Sequence, residues 1–343
     1  MKRYSLGFVA LGVAALGAFF VRGAEVTAQP QPAGDTPAGA RVLSVATLAP
    51  AGSTWMRVLD AWNRELRRRT NRMLSLRIYP GGVQGDESEV VRKIRSGRLD
   101  GAAVTAVGLA QIYRPALTFQ MPGMFGSYRQ LDAARAATNA DIVREFNTAG
   151  FAFMGWADVG FSRVFSNRPV AAPSEMAGLH PYVWRDDLVM PAFFREAHVE
   201  AVRLQLPEVL SALQTNRVDS FITTPYAAVS LQWSTRATHM TDQNVGVVVG
   251  ATVFGNTQMN SLSPELQTAL RETATQFHQL LINNLRRDEA STLNTLSTRG
   301  LTTVQVSAAQ RQQWTDLFQR TRAALGNTVA EPAFVQRVQN AAR

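Results

Sequence analysis

The chain has no cysteine and only four histidines among 343 residues. The first absence excludes a disulfide framework, a thiolate metal site and a lipid anchor on cysteine. The histidines, His180, His198, His239 and His278, stand far apart in the sequence and form no local pair with metal-ligand spacing. They read as surface or structural residues. Also missing are a zinc-protease His-Glu-x-x-His, a Gly-x-Ser-x-Gly nucleophile elbow, a phosphate loop and a dinucleotide fingerprint. No catalytic constellation, metal or cofactor is therefore expected. Asp86, Glu87 and Glu89 lie close enough for acid and base work, but carboxylates in the first turn of a helix commonly serve its dipole alone. Gly81, Gly82 and Gly85 could cradle an anion; turn geometry is the plainer reason for them.

What is present begins with an export signal. Met1, Lys2, Arg3 and Tyr4 precede an apolar run from Leu6 to Val21, too short and glycine-rich for a membrane span of about 20 residues. Cleavage fits best after Val26-Thr27-Ala28, giving a signal peptide over 1–28, then a Pro/Gly/Ala-rich lead-in over 29–40. The fold is expected to start near Arg41, and the exported product to reside in the periplasm. Formal charge is +9, about +7 once the signal is removed. The basic clusters at Arg64 to Arg72 and at Arg286 and Arg287 alternate with apolar residues on helical patterns, without an aromatic platform. They read as solvated helix faces, and nucleic acid is not an expected partner.

Along the chain, Val42 to Thr47 alternates as a strand, Ala49-Pro50-Ala51-Gly52-Ser53 breaks it, and Thr54 to Arg69 carries Trp55, Val58, Leu59, Trp62 and Leu66 at helical spacing. Strand Leu74 to Tyr79 and a helix capped by Asp86 or Ser88 and stopped at Gly97 follow, then strand Gly101 to Val107. Further strands are expected at Phe151 to Trp156, Phe161 to Ser166, Tyr182 to Arg185, Val199 to Arg203, Ser220 to Thr224 and Leu301 to Val306. Helices are expected at Asp187 to Ala197, at Pro207 to Asn216 and from Ala308 onward. Ser263-Pro264-Glu265 opens a pattern without a breaker to about Ser297. At 1.5 Å per residue that helix is about 50 Å long, enough to pass from one lobe to another. Such alternation predicts an α/β fold with a mostly parallel sheet and a ligand site at the carboxyl ends of its strands.

The residues from Val42 to Leu317 resemble the solute receptors of tripartite ATP-independent periplasmic (TRAP) transporters, of the dicarboxylate-receptor (DctP) type. The markers are Ala46-Thr47-Leu48-Ala49-Pro50, Ile78-Tyr79-Pro80-Gly81-Gly82 with Gly85-Asp86-Glu87-Ser88-Glu89, and Ile94-Arg95-Ser96-Gly97-Arg98-Leu99-Asp100. Met121-Pro122-Gly123-Met124-Phe125, Arg168-Pro169-Val170 with Gly178-Leu179, and Leu213-Gln214-Thr215-Asn216-Arg217-Val218-Asp219 continue the series. The resemblance implies a two-lobed solute-binding protein with an interlobe cleft and a long hinge-spanning helix. Lobe I is expected over 41–160 plus about 246–285, and lobe II over 161–245 plus about 286–343. The resemblance implies a non-enzymatic protein that carries a small organic ligand to a TRAP-type permease, and a monomer is expected.

In most members of that family an arginine in a Gly-Leu-Lys-Ile-Arg-Val segment clamps an organic acid. Here the segment reads Gly178-Leu179-His180-Pro181-Tyr182-Val183, so Tyr182 stands at the arginine. A second family arginine falls on Ser162, with Arg163 beside it. The family's Glu-Asn segment becomes Ile222-Thr223-Thr224. The ligand set implied for this chain is Trp55, Glu87, Phe119, Trp156, Phe161, Ser162, Tyr182, Trp184, Arg185, Phe221, Thr224 and Tyr226, with Trp233 nearby. That set suits a hydrophobic or amphipathic ligand. Three alternatives stand beside it: an ordinary carboxylate receptor using Arg163 or Arg185, a ligand-sensing envelope subunit without transport, and an exported hydrolase, against which the missing nucleophile and metal ligands argue.

Overall fold

The computed structural model describes residues 37–343; the signal peptide and most of the lead-in lie outside the described residues. Strands β1 (Arg41–Thr47), β2 (Leu74–Tyr79) and β3 (Gly101–Thr105) pair in parallel in the order β2-β1-β3. The helices Thr54–Arg69 and Glu87–Arg95 provide the crossovers between them. Each helix begins where a side chain satisfies an otherwise orphaned N–H: Ser53 accepts from Met56 and Asp86 from Glu87. Gly97, at φ 72°, ends the second one with a conformation that costs other residues free energy. The strand expected to reach Val107 stops at Thr105, whose hydroxyl caps a short helix, Ala106–Leu109.

Two long strands carry the sheet into the second half of the molecule. Strand β4 (Phe151–Ser166) is a single 16-residue strand, and the glycines that make its sequence look like two strands sit at register shifts between Phe153 and Gly155 and between Asp158 and Gly160. Strand β9 (Gly246–Gly255) runs antiparallel between β3 and β4. Beyond it the end of β4 pairs with β7 (Ser220–Thr223) and with β8 (His239–Thr241), which carries β10 (Thr302–Val304). The remaining strands, β5 (Tyr182–Trp184) and β6 (Val202–Leu204), form a parallel pair joined to β7 through a bridge between Pro181 and Ser220.

Each half has its own apolar cores. The β1-β2-β3 half packs Trp62, Leu66, Leu43 and Leu74 on one face and Phe119, Phe146 and Phe151 on the other. The second half packs Phe193, Trp314 and Phe318 in one cluster and Phe165, Phe221 and Trp233 in another. The helix Pro264–Thr298 is 35 residues long and belongs to both halves, placing Leu270, Leu281 and Leu285 in the first and Leu293 and Leu296 in the second. After the helix Ala308–Leu325 the chain returns: Phe334 and Val338 of the helix Pro332–Ala341 join the core of the first half, whereas the sequence division had put the whole tail with the second. Among the described residues no helix is long and apolar enough to cross a membrane.

Where the crossing strands meet the long helix, charges are buried together. Asp158 is fully buried and takes Arg135 at 2.7 Å and the Arg286 Nε at 2.7 Å. Arg286 also grips Asp132 and stacks over Tyr128, 4.4 Å from the ring centre. His278 is packed close against Gly155, donates from Nδ1 to the Ala274 carbonyl and accepts from Thr252. Burial pushes its ring down to about 4, so it stays neutral, a structural histidine.

Candidate functional site

A cavity of about 180 Å³ lies between the two halves. Its first wall is built from the carboxyl ends of β1 and β3, where Thr47 and Ala103 to Thr105 lead into the loop Leu48 to Ser53 and Trp55. Strand ends are where parallel sheets leave loops free to meet a ligand. Opposite stand Tyr182, Val183, Trp184, Asp187, Met190, Phe194 and Leu206. The crossing strands contribute Val159, Ser162, Val247 and Val248, and Ile222, Thr223, Tyr226 and Trp233 complete the enclosure. The lining is mostly apolar, and among the described residues it contains no arginine, lysine or histidine.

Its two ionisable acids are both occupied by protein donors. Glu87 is buried in the first turn of its helix and accepts from the Thr105 N–H at 2.7 Å, the Thr105 hydroxyl at 2.8 Å and the Gly108 N–H at 2.8 Å. A Cβ on Gly108 would stand 2.8 Å from the Glu87 Oε2, so glycine there leaves room for the carboxyl. Burial pushes Glu87 up to about 7, against the opposing pull of the Thr105 and Gly108 hydrogen bonds. Asp187 is pushed up by burial to about 6, although it accepts from the backbone N–H groups that open the next helix, Val189 at 2.7 Å among them.

The raised Glu87 sets a stability prediction. Its folded value lies above the ordinary 4.5, so its contribution to stability is fully present below about 4.5, falls between about 4.5 and 7, and is level above that. The loss is about 3 kcal/mol at 1.36 kcal/mol per unit. Denaturant midpoints should fall over this range in the native chain and fall less steeply in Glu87→Gln. Parallel curves for the two proteins would remove Glu87 as the cause.

Asp86, beside Glu87, joins the two walls. Its Oδ1 accepts from the Glu87 N–H at 2.7 Å as the helix cap. Its Oδ2 accepts from the Trp184 indole N–H at 2.9 Å and the Leu206 N–H at 3.3 Å, both on the opposite wall. Sequence reasoning identified the cap and missed the bridge, because its partners lie 98 and 120 residues away. A second contact between the walls runs from the Trp55 N–H to the Tyr226 hydroxyl at 3.4 Å.

Over residues 45–325 the chain matches the family described as bacterial extracellular solute-binding protein, family 7. The chain belongs to this family. Family 7 is the DctP family of the resemblance, and the two-lobed α/β architecture agrees with solved members. A TRAP periplasmic solute-binding protein from Shewanella oneidensis, with bound succinate, superposes with a TM-score of 0.83 at 16% identity, covering 89% of this chain and all of that one. A sugar acid binding protein from Advenella mimigardefordensis in complex with galactonate gives 0.83 at 14% identity, over 88% of this chain and 98% of that one. A solute-binding protein from Albidiferax ferrireducens is 19% identical over 270 residues, 77% of this chain and 79% of that protein. This family 7 chain is a solute-binding receptor and, like its relatives, not an enzyme.

Within this family 7 receptor, Trp55, Glu87, Ser162, Tyr182, Trp184 and Tyr226 of the twelve expected residues line the cavity. The other six stand elsewhere. Phe119 stacks with Phe125 and Trp156, whose indole donates to Asn139 at 3.2 Å, all in the first half's core. Phe161 packs on Tyr128, and Phe221 stacks on Phe165 at 5.1 Å. Thr224 caps the helix Pro225–Ser230 by accepting from the Ala227 N–H. Arg185 is exposed and pairs with Glu208 at 3.2 Å, while Arg163 pairs with Asp242 at 3.3 Å; neither lines the cavity.

Proposed function

We propose that this protein is an exported, periplasmic receptor that captures a small organic ligand in the cavity between its lobes and delivers it to a TRAP-type membrane permease. The ligand is less polar than a dicarboxylate, hydrophobic or amphipathic in character. The lobes divide along the crossing strands, with 41–160 and about 246–285 in the first and 161–245 with the end of the long helix and the helix after it in the second. The segment after Leu325 is better assigned to the first lobe, because Phe334 and Val338 pack there. A cleavable signal over 1–28 supports export, and family membership supports both the location and the permease.

The observation that carries the ligand reading is the mostly apolar cavity without a basic side chain. An organic acid entering it would lose its hydration with no cation to replace it. Relatives bound to succinate and galactonate support the competing reading, an organic-acid receptor, which here requires Arg163 or Arg185 to leave its present carboxylate partner and reach inward. Purification of the exported protein, denaturation and mass spectrometry of the released small molecules decides between them. A stoichiometric apolar or amphipathic compound is expected. A di- or tricarboxylate would overturn the ligand reading and leave the receptor reading standing.

A further inference from the structure

Four acids are buried among the described residues: Asp86, Glu87, Asp158 and Asp187. Asp158 is held by two arginines, Arg135 and Arg286, as buried carboxylates generally are. The other three stand at the cavity, and among the described residues none of them forms an ion pair. Glu87 and Asp187 line it, and Asp86 reaches across it to Trp184 and Leu206. Their hydrogen bonds come from uncharged N–H and O–H groups. Asp187 is 7% exposed; its Oδ1 accepts from the Val189 N–H, and its Oδ2 keeps accessible surface and has no hydrogen-bond partner among the described residues. Arg203 acts on Asp187, but it is exposed and donates to the Arg185 carbonyl.

We propose that the ligand brings the counter-charge these acids do not find in the protein: it is a small organic cation, an ammonium group on an apolar body, seated against Asp187 and the aromatic side chains of the cavity. The proposal rests on the receptor reading above and names an amphipathic cation as the ligand within it. Trp55, Tyr182, Trp184, Tyr226 and Trp233 all line the cavity, and aromatic faces attract ammonium groups, quaternary ones included. Arginines elsewhere stack over Phe151, Trp156, Tyr128 and Phe334, so none of the five lining rings is among those taken. A metal ion fits less well, because among the described residues no cluster of acids and histidines could hold one. Size follows from the volume: a cavity of about 150 Å³ suffices for benzene, and this one is about 180 Å³. Burial pushes Glu87 up to about 7 and Asp187 up to about 6, so both are largely ionised at about pH 8 and can attract a cation.

Three probes of nearly one shape separate the charges: choline, its isostere neohexyl alcohol in which carbon replaces the nitrogen, and the anion of tert-butylacetic acid. They are titrated by calorimetry at about pH 8, where both acids are ionised, into protein stripped of any co-purified molecule by unfolding and refolding. Choline is expected to bind at least about tenfold more tightly than the neutral alcohol, and the anion most weakly. Asp187→Asn keeps an acceptor for the Val189 N–H and removes the charge; it should weaken choline by about tenfold and leave neohexyl alcohol unchanged. Should that variant fail to fold, Glu87→Gln, which removes the other lining charge, is read in the same way. Neohexyl alcohol or the anion binding as tightly as choline overturns the assignment of charge. Choline affinity equal to the native value in the folded variant overturns the role of the carboxylate. If no probe binds although a small molecule co-purifies with the exported protein, the ligand class is wrong and the receptor reading survives. If nothing co-purifies and nothing binds, both fall.

Discussion

Replacing Tyr182 by arginine should give the cavity a measurable affinity for small carboxylates. The residue stands on β5, packs edge-on to Trp233 and shares the cavity lining with Glu87 and Asp187, where among the described residues there is no cation. A guanidinium there can form charge-assisted hydrogen bonds worth about 1.5 to 3 kcal/mol each with a carboxylate. Part of that gain is offset by the cost of burying the charge and by competition from the two resident acids. A net gain of at least tenfold for succinate, about 1.4 kcal/mol, is the expected result in calorimetric titration. The same substitution should weaken any apolar ligand, because it fills the cavity with a hydrated group. An unchanged, negligible succinate affinity in a variant with native near-ultraviolet circular dichroism would mean that the cavity does not control ligand charge.

The second large effect is expected at Asp86. Asp86→Ala removes the acceptor shared by the Trp184 indole and the Leu206 N–H across the cavity, along with the cap of its own helix. Hydrogen bonds to a charged acceptor contribute about 1.5 to 3 kcal/mol each. Because both donors can turn to water in an open form, about 3 kcal/mol is a reasonable net loss for the closed form, roughly a hundredfold in the balance between closed and open. Small-angle scattering should report a larger radius of gyration for Asp86→Ala, and the affinity for the native ligand should fall in step. Asp86→Asn keeps one acceptor oxygen and should fall between the two. If scattering and affinity match the native protein in both variants, the bridge does not govern the arrangement of the lobes.

The first three strands and their helices were legible because each carries its own punctuation: Ser53 and Asp86 as caps, Gly97 as a stop, alternation in β1 and β2. The long helix was legible from Ser263 and Pro264 and the absence of a breaker. Strand β9 was not, because Val247, Val248 and Val249 lie in an apolar run without alternation, as expected of a strand packed on both faces. The site was half legible for a related reason. Of the neighbours Phe161 and Ser162 on β4, Phe161 packs on Tyr128 and Ser162 lines the cavity. On β7 and just beyond it, Ile222 and Thr223 meet the cavity while Phe221 turns to the core and Thr224 is taken up as a cap. Residue type marked segments that meet the cavity; the face each side chain takes depends on pairings such as Arg163 with Thr223, which lie far apart in the chain.

Asp86 reaches across the cavity through groups that belong to the protein alone, one carboxylate to an indole and a backbone amide. That contact between the walls requires no charge on a ligand. The inner wall is thereby free to vary in chemistry while that contact stays intact. A scaffold with that division of labour can acquire new cargo by changing one or two wall residues, and its diversity of ligands should track the lining of the cavity far more closely than the lobes' mutual geometry.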